Sequence, residues 1–197
     1  MVDKSSVDAN NRLVAIGASA GGLNALLVVL SALPADLTAA VMVVQHLDPK
    51  YPSHMAEILA RQSQIRIIEA VDGDVIEAST VYFAPPGKHL LVGERRISLT
   101  TSELVHFVRP SVDLLLESVA ATYGEGAIGV ILTGSGLDGA LGIRAIKEKG
   151  GLTISQDPLT AESSGMPNTA IATGAVDFIL PLDQIAGAIV RSLSSEE

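Results

Sequence analysis

Three short, wholly apolar runs set the strongest limit on what this chain can fold into. They cover residues 13–17, 39–44 and 127–132, and none of them alternates apolar with polar residues. A strand with one face in water alternates, whereas a parallel strand buried on both faces is a continuous aliphatic run. Each run is also shorter than a typical helix. The pattern therefore predicts a sheet whose central strands are parallel and covered on both sides.

Segments with helical spacing lie between the predicted strands. Further strands are predicted at 65–70, 80–84, 89–92, 96–99, 152–155 and 176–180, and helices at 21–33, 52–61, 111–123, 138–149, 167–172 and 183–193. This alternation predicts an α/β fold, a doubly wound, mostly parallel sheet with helices on both faces. Turn residues such as Pro85, Pro86 and Gly87 divide residues 75–99 into short strands, which indicates an antiparallel hairpin excursion there.

Length and composition exclude several classes of protein. The chain has 197 residues, and we expect a flexible tail at 1–11 followed by a single domain at 12–197. Thirteen Lys and Arg against 22 Asp and Glu give a net charge of −9, and aromatic residues make up 3%. Such a chain lacks the cations and stacking rings that nucleic acids require. There is no cysteine, which excludes disulfides and thiolate chemistry. No segment indicates membrane insertion or a secretory signal, so we expect a cytoplasmic protein.

Three polar residues follow the three apolar runs. Ser19 follows the first run, His46 follows the second, and Asp138 lies in the glycine-rich segment after the third. Ligands of doubly wound sheets bind beyond the carboxyl ends of the strands, so these side chains are predicted to share one edge. A serine, a histidine and an aspartate are the residue types of a nucleophile, a general base and the acid that orients the base.

The turn around Ser19 has two interpretations of about equal weight. Gly17-Ala18-Ser19-Ala20-Gly21 matches the nucleophile elbow, a tight strand-to-helix turn that exposes a serine hydroxyl. A glycine-rich turn before a helix can equally bind a phosphate or another small ligand through free backbone N–H groups. The turn is neither a dinucleotide fingerprint nor a Walker A motif.

His46 and Asp138 also have structural alternatives. An isolated histidine after a buried strand is often a hydrogen-bonded core residue, and Asp138 could cap the helix that follows it. Ser135, between two glycines, is a rival nucleophile, but no helix is predicted directly behind it. No set of residues has convincing metal-ligand spacing, so no metal is expected. The remaining histidines are interpreted as structural or exposed: His54, His89 and His106.

Six motifs in fixed order resemble the catalytic domain of the chemotaxis protein-glutamate methylesterase family, CheB. The resemblance covers roughly residues 12–192. The motifs are Ile16-Gly-Ala-Ser-Ala-Gly-Gly22, Val44-Gln-His46, Tyr82-Phe-Ala-Pro-Pro-Gly-Lys-His-Leu90, Arg109-Pro-Ser-Val-Asp113, Leu132-Thr-Gly-Ser-Gly-Leu-Asp-Gly-Ala140 and Gly165-Met-Pro167.

The resemblance implies a serine esterase. It implies Ser19 as nucleophile, His46 as general base and Asp138 as orienting acid, with the residues that bind oxyanion and substrate being Ala20, Gly21 and Ser135. The family hydrolyses γ-glutamyl methyl esters on the cytoplasmic helices of methylated chemoreceptors, releasing methanol, and also deamidates receptor glutamines. It works without a cofactor. A methyltransferase, fused or associated, is the second partner that the resemblance suggests.

Three departures from the family pattern leave alternatives open. The family often has Thr where this chain has Ala20, and Met where it has Ser135. The family usually has an N-terminal receiver domain that takes part in a phosphorelay. We do not expect one here, because the 11 residues before the first predicted strand region cannot hold it. The competing hypotheses are a catalytically weakened interaction module in a signalling assembly and a binder of a small ligand or phosphate.

Overall fold

A computed structural model describes residues 12–46 and 53–194. The tail predicted at 1–11 lies outside these ranges, as does the first residue of the helix predicted at 52–61. Seven strands form one parallel sheet in the order β3-β4-β2-β1-β7-β8-β9, and β5 and β6 form a separate antiparallel pair. The strands are β1 Leu13–Ala18, β2 Ala40–Gln45, β3 Arg66–Glu69, β4 Thr80–Phe83, β5 His89–Gly93, β6 Arg96–Thr100, β7 Ala127–Ile131, β8 Leu152–Gln156 and β9 Phe178–Leu180.

In the described part of the chain, six α-helices cover the sheet on both faces. They are α1 Gly22–Ser31, α2 Met55–Ala60, α3 Val112–Tyr123, α4 Ala140–Glu148, α5 Gly165–Ala172 and α6 Leu182–Ser194. Successive side chains of a strand point to opposite faces. Accordingly, Val14 and Ile16 of β1 pack in one apolar core with residues of α1, α2 and α6. Leu13 and Ala15 pack in a second core with residues of α3, α4 and α5. The doubly wound α/β fold is thus confirmed.

The antiparallel hairpin is narrower than the stretch 75–99 predicted for it. The pair of strands is β5 and β6, with His89 opposite Thr100 and Gly93 opposite Arg96. Residues Thr80–Phe83, which the sequence pattern placed in the excursion, form β4 of the main sheet between β2 and β3. Their side chains are all buried, which requires cover on both faces, and the turn at Pro85 and Pro86 separates them from the hairpin.

The strand order brings three chain segments together at one edge of the sheet. Strand β1 lies between β2 and β7, and Ala18 at the end of β1 is in register with Gln45 at the end of β2. The residues that follow these two strands, Ser19 and His46, are therefore neighbours. Strand β7 ends on the other side of β1, so the loop before α4 reaches the same edge. Among the described residues, no helix is long and apolar enough to cross a membrane.

Two helical glycines provide a test of how closely α3 and α4 pack. A Cβ atom on Gly142 of α4 would lie 2.4 Å from the Cβ of Leu116, whereas one on Gly187 of α6 would meet only the end of the flexible Arg191 side chain, at 3.2 Å. We expect Gly142→Ala to lower the free energy of unfolding by about 1–3 kcal/mol, because overpacking outweighs the better helix propensity of alanine. The matched variant Gly187→Ala should raise it by about 0.5–1 kcal/mol. Urea unfolding of both variants measures this, and equal effects would contradict the close packing.

Candidate active site

Ser19 lies in a tight turn between β1 and α1. Its amide donates to the carbonyl of Thr133 over 3.0 Å, and its own carbonyl accepts from the amide of Gly22 over 2.9 Å. Gly21 has φ of 77°, in the left-handed region, and a Cβ there would also meet the side chain of Glu162. Only glycine fits this position without strain. The turn therefore holds Ser19 half-buried at the end of β1, directly before a helix N-terminus.

Gln45 fixes the backbone of the serine turn. Its amide nitrogen donates to the carbonyl of Ser19 over 2.8 Å and to that of His46 over 3.0 Å. A Cβ on Gly22 would lie 1.8 Å from Gln45 Oε1, so the glycine is what leaves room for the amide. The sequence analysis did not assign Gln45 to the site, although its position directly before His46 at the end of a buried strand is the signal that could have done so.

His46 lies at the same edge and contacts Asp138 directly. Its amide donates to the carbonyl of Ala18 over 3.1 Å, and its ring Nε2 is 2.8 Å from Asp138 Oδ2. The ring is 14% exposed. An ionised carboxylate only accepts, so Nε2 carries the proton in this contact. The lone pair of the neutral ring is then on Nδ1, the nitrogen left for another partner.

The carboxylate of Asp138 lies on the N-terminus of α3. It accepts from the Ser111 hydroxyl at 2.9 Å, the Val112 amide at 2.7 Å and the Asp113 amide at 3.0 Å, in addition to His46. Burial by itself would raise the pKa of Asp138, but the hydrogen bonds from His46 and from the amides of Asp113 and Val112 outweigh it and lower that pKa. The side chain, 4% exposed, is thus a buried carboxylate stabilised in its charged form.

The alternative in which Asp138 caps its own helix is wrong. The N-cap residue of α4 is Gly139, which has no side chain to cap the helix. The amides of Gly139 and Gly142 at the start of α4 donate instead to Asp113 Oδ1, over 2.9 and 2.8 Å. Each carboxylate therefore accepts hydrogen bonds at the start of the other helix, an arrangement we call the exchange of carboxylates. Asp138, which precedes α4, accepts from the amides of α3, and Asp113, which belongs to α3, accepts from the amides of α4.

Asp113 was missed by the sequence analysis as part of the site. It is 2% exposed, and its pKa is raised by burial, partly offset by the Gly142 amide, with the nearby charge of Asp138 raising it further. A serine N-cap followed two residues later by an aspartate, in Ser111-Val112-Asp113, is the signal that could have identified it. A cap of this kind normally serves its own helix, so the sequence gives no hint of the exchange.

Two backbone amides near Ser19 are available to an incoming oxygen. The amides of Ala20 and Ser135 donate to no acceptor among the described residues. The two loops are tied together, since Thr133 Oγ1 donates to the carbonyl of Ala20 over 2.9 Å. A Cβ on Gly134 would lie 2.9 Å from the Cβ of Ser19, so the loop passes directly beside the serine. Ser135 itself is exposed, and Gly21 begins the helix as its N-cap.

The structure separates the other histidines from the triad candidates. His89 is fully buried, with Nε2 3.0 Å from the Glu103 carbonyl and Nδ1 accepting from the Ser111 amide, which confirms a structural role. His54 begins α2 beside Glu57, and His106 lies 3.2 Å from Asp113 Oδ2. Among the described residues, the hydroxyl of Ser19 makes no hydrogen bond to His46. Within residues 12–46 and 53–194, no group of three or more potential ligands could hold a metal ion.

A pocket opens beside His46. It has a volume of about 180 Å³, below the ~300–1,000 Å³ typical of sites for drug-sized ligands, which suits a single side chain. Its walls are mostly apolar and are supplied by His46 and by Gly87, Leu104, Phe107, Val108, Arg109 and Pro110.

Comparison with known proteins decides the family. A family model described as CheB methylesterase matches residues 14–189. The chain belongs to the CheB methylesterase family. The resemblance inferred from the six motifs is therefore confirmed.

Relatives and a solved CheB structure agree over nearly the whole chain. A relative from Leptospira interrogans is 42% identical over 183 residues, covering 92% of this chain and 95% of that protein. One from Cupriavidus pinatubonensis, named protein-glutamate methylesterase/protein-glutamine glutaminase 1, is 45% identical and covers 95% of this chain but 55% of its own length. The Thermotoga maritima CheB methylesterase catalytic domain superposes with a TM-score of 0.88 at 34% identity, covering 92% of this chain and 98% of that one.

The carboxylate of Asp138 should stabilise this CheB domain in a pH-dependent way. Asp138→Asn places an N–H₂ group near donors, so we expect a loss of about 1–3 kcal/mol in the free energy of unfolding at pH 7. Since the folded-state pKa of Asp138 is lowered, its contribution is present above the unfolded value of about 3.9 and is lost as the pH falls through the folded value.

The measurement is chemical unfolding of wild type and variant between pH 3 and pH 7. The difference between them should be largest above about pH 5 and shrink toward pH 3. The control Asp36→Asn, which removes an exposed carboxylate, should change stability by less than about 0.5 kcal/mol. A difference that grows on acidification would contradict the charged form of Asp138.

Proposed function

We propose that the chain hydrolyses γ-glutamyl methyl esters of chemoreceptors, releasing methanol, with Ser19, His46 and Asp138 as its catalytic triad. The observation that carries the proposal is the 2.8 Å contact between His46 Nε2 and the buried Asp138 carboxylate, at the strand end in register with the serine turn. The names of the relatives, protein-glutamate methylesterase/protein-glutamine glutaminase, support the same reaction. A chemoreceptor methylated on glutamate is the protein substrate that this activity implies.

Proton transfer runs through Nδ1 of His46. Because Asp138 holds Nε2–H, the ring presents the Nδ1 lone pair to the hydroxyl of Ser19. As Ser19 Oγ attacks the ester carbonyl, Nδ1 takes its proton, and the imidazolium that forms is stabilised by the charge of Asp138. The hydrogen bond between Ser19 and His46 forms when substrate is bound, since such bonds are frequently long in free enzymes.

The amides of Ala20 and Ser135 are the oxyanion donors in this proposal. Both lack a protein acceptor among the described residues and lie on loops that flank Ser19. Backbone donors do not depend on side-chain identity, so alanine at position 20 and serine at position 135 leave them in place. One such donor contributes about 3–4 kcal/mol to stabilisation of the transition state.

The remaining steps return the proton from Nδ1 and hydrolyse the acyl-enzyme. Methoxide leaves with the proton held on Nδ1, and methanol diffuses away from the acyl-enzyme. Water then gives a proton to Nδ1 and attacks the acyl carbon, and Ser19 Oγ recovers that proton as glutamate is released. A glutamine side chain follows the same steps with ammonia as the leaving group, which accounts for deamidation.

Replacing the nucleophile should abolish methanol release and leave the fold intact. Ser19→Ala removes only Oγ, because the hydrogen bonds of Ser19 to Thr133, Gly22 and Gln45 all use its backbone. We expect methanol release from methylated receptor membranes to fall by at least ~10³-fold with little change in melting temperature. A fluorophosphonate probe should label the wild type at Ser19 and leave the variant unlabelled.

Two outcomes would overturn this assignment. Methanol release by Ser19→Ala at a near wild-type rate would make Ser135 the next candidate nucleophile, and Ser135→Ala is the matched control variant. A wild-type chain that neither releases methanol nor reacts with the probe would favour a non-catalytic interaction module.

Asp138→Asn should reduce turnover far more than its stability loss explains. Asn favours the wrong imidazole tautomer, an effect that lowers turnover by ~10⁴-fold in a serine protease. We expect a decrease on the order of 10²–10⁴-fold in methanol release, measured at a temperature where the variant is folded. Leu30→Ala, which leaves a cavity in the core on the opposite face of the sheet, is the stability control and should retain far more turnover. Normal turnover in Asp138→Asn would leave at most a Ser19–His46 dyad.

A further inference from the structure

Residues 105–108, next to the pocket, form a strained two-residue turn. Val105 and Val108 exchange two backbone hydrogen bonds, of 3.2 and 2.9 Å, and the residues between them both have positive φ, 50° for His106 and 65° for Phe107. Asn and Gly are the residues favoured at both positions of such a turn. Residues that keep a strained conformation are held there by their surroundings and cluster at functional sites. The two side chains therefore require an explanation.

A contact with Asp113 accounts for the position of His106, although its side chain is 41% exposed. Its Nε2 lies 3.2 Å from Oδ2 of Asp113, the carboxylate that serves the start of α4. Arg109 holds the base of the same loop by donating from Nη1 to the carbonyls of Thr101 and Ser102, over 2.8 and 2.6 Å. The Arg109 hydrogen bonds hold the loop together, and the His106 contact places the turn beside Asp113.

The interior does not explain Phe107. Its side chain is 95% exposed, yet it forms part of the wall of the pocket that contains His46. Phe107 therefore lies at the pocket with its side chain exposed to solvent. Its positive φ is a conformation that phenylalanine rarely adopts, and no burial of the ring compensates for that strain.

Exposed apolar side chains recur on other loops at this edge of the sheet. Leu104 belongs to the loop of Phe107, Leu137 precedes Asp138, and Leu159 follows β8, and all three are more than half exposed. Exposed apolar groups around a site are typical of surfaces that bind another protein. His46 is part of the wall of this pocket, so a protein substrate whose side chain approaches His46 through the pocket must place its neighbouring residues against this rim.

We propose that Phe107 is a specificity-determining residue that packs against apolar side chains flanking the methylated glutamate of the receptor. The proposal rests on the proposed function, because it names the partner that the methylesterase acts on. It assigns to Phe107 the recognition of the protein substrate and no part in the chemistry at Ser19.

The test separates receptor recognition from chemistry. Phe107→Asn suits the left-handed backbone of the turn and removes the ring, so its melting temperature should match the wild type. We expect its kcat/KM for methanol release from methylated receptor membranes to fall roughly tenfold, the effect typical of an aromatic contact residue. Its rate of labelling by a small fluorophosphonate at Ser19 should stay within about twofold, because that probe does not reach the rim.

Two further variants serve as controls. Phe107→Tyr keeps the ring and should retain most of the wild-type kcat/KM on the receptor. Phe178→Asn removes another exposed ring, 48% exposed, at the amino end of β9 on the opposite edge of the sheet, and should leave both rates unchanged.

Each result decides the proposal. Wild-type kcat/KM on the receptor in Phe107→Asn would overturn it, and so would a parallel loss of probe labelling, which would place Phe107 in the catalytic machinery. A wild-type protein that labels with the probe but releases no methanol from receptors would overturn the proposed function itself, and this inference with it. Failure of the proposed function is visible in the wild type alone, so it is distinguishable from failure of the proposal for Phe107.

Discussion

The rest of the site depends on the hydrogen bonds between the buried carboxylate of Asp138 and the N-terminus of α3. A charge taken out of water is tolerated only where hydrogen bonds replace its hydration. The N-terminus of α3 supplies two amides, the Ser111 hydroxyl and the positive end of the helix dipole. Oδ2, which also accepts from the Val112 amide, contacts His46 and fixes both the orientation of the ring and the nitrogen that carries its proton. One carboxylate thus joins the position of the α3 N-terminus to the orientation of the His46 ring.

The exchange of carboxylates connects helices α3 and α4 to the residue that contacts His46. Asp113 and Asp138 lie close enough for each charge to affect the other. The hydrogen bonds and burial around each carboxylate decide which of them is more readily ionised. Asp138 has the larger set of donors and a lowered pKa, whereas the pKa of Asp113 is raised by burial. The negative charge is therefore favoured on the residue that touches His46. Glycines at 139 and 142 permit the exchange, because their amides reach Asp113 and a side chain at 142 would collide with Leu116.

The chemistry and the recognition proposed above are assigned to different parts of the molecule. Ser19 and His46 sit at the ends of neighbouring central strands, which a parallel sheet holds rigidly in register. Phe107 and the other exposed apolar residues lie on loops that surround this edge. A rigid scaffold positions reactive groups accurately, while loops adapt to a partner. His106 Nε2 lies 3.2 Å from Asp113 Oδ2, so the loop to which recognition is assigned contacts the carboxylate pair.

The sequence by itself determined the fold class, the strands, and the edge at which Ser19, His46 and Asp138 meet. These features depend on local patterns, namely continuous apolar runs and the residues that follow them. It placed Thr80–Phe83 in the hairpin, because strand pairing is a long-range property that a four-residue run does not encode. Only the tertiary structure decided which helix Asp138 serves, which nitrogen of His46 faces that carboxylate, and that Gln45 and Asp113 contact the residues of the candidate site. Those contacts join residues 25 to 92 positions apart, so they are set by the packing of whole elements and leave no local signal in the chain.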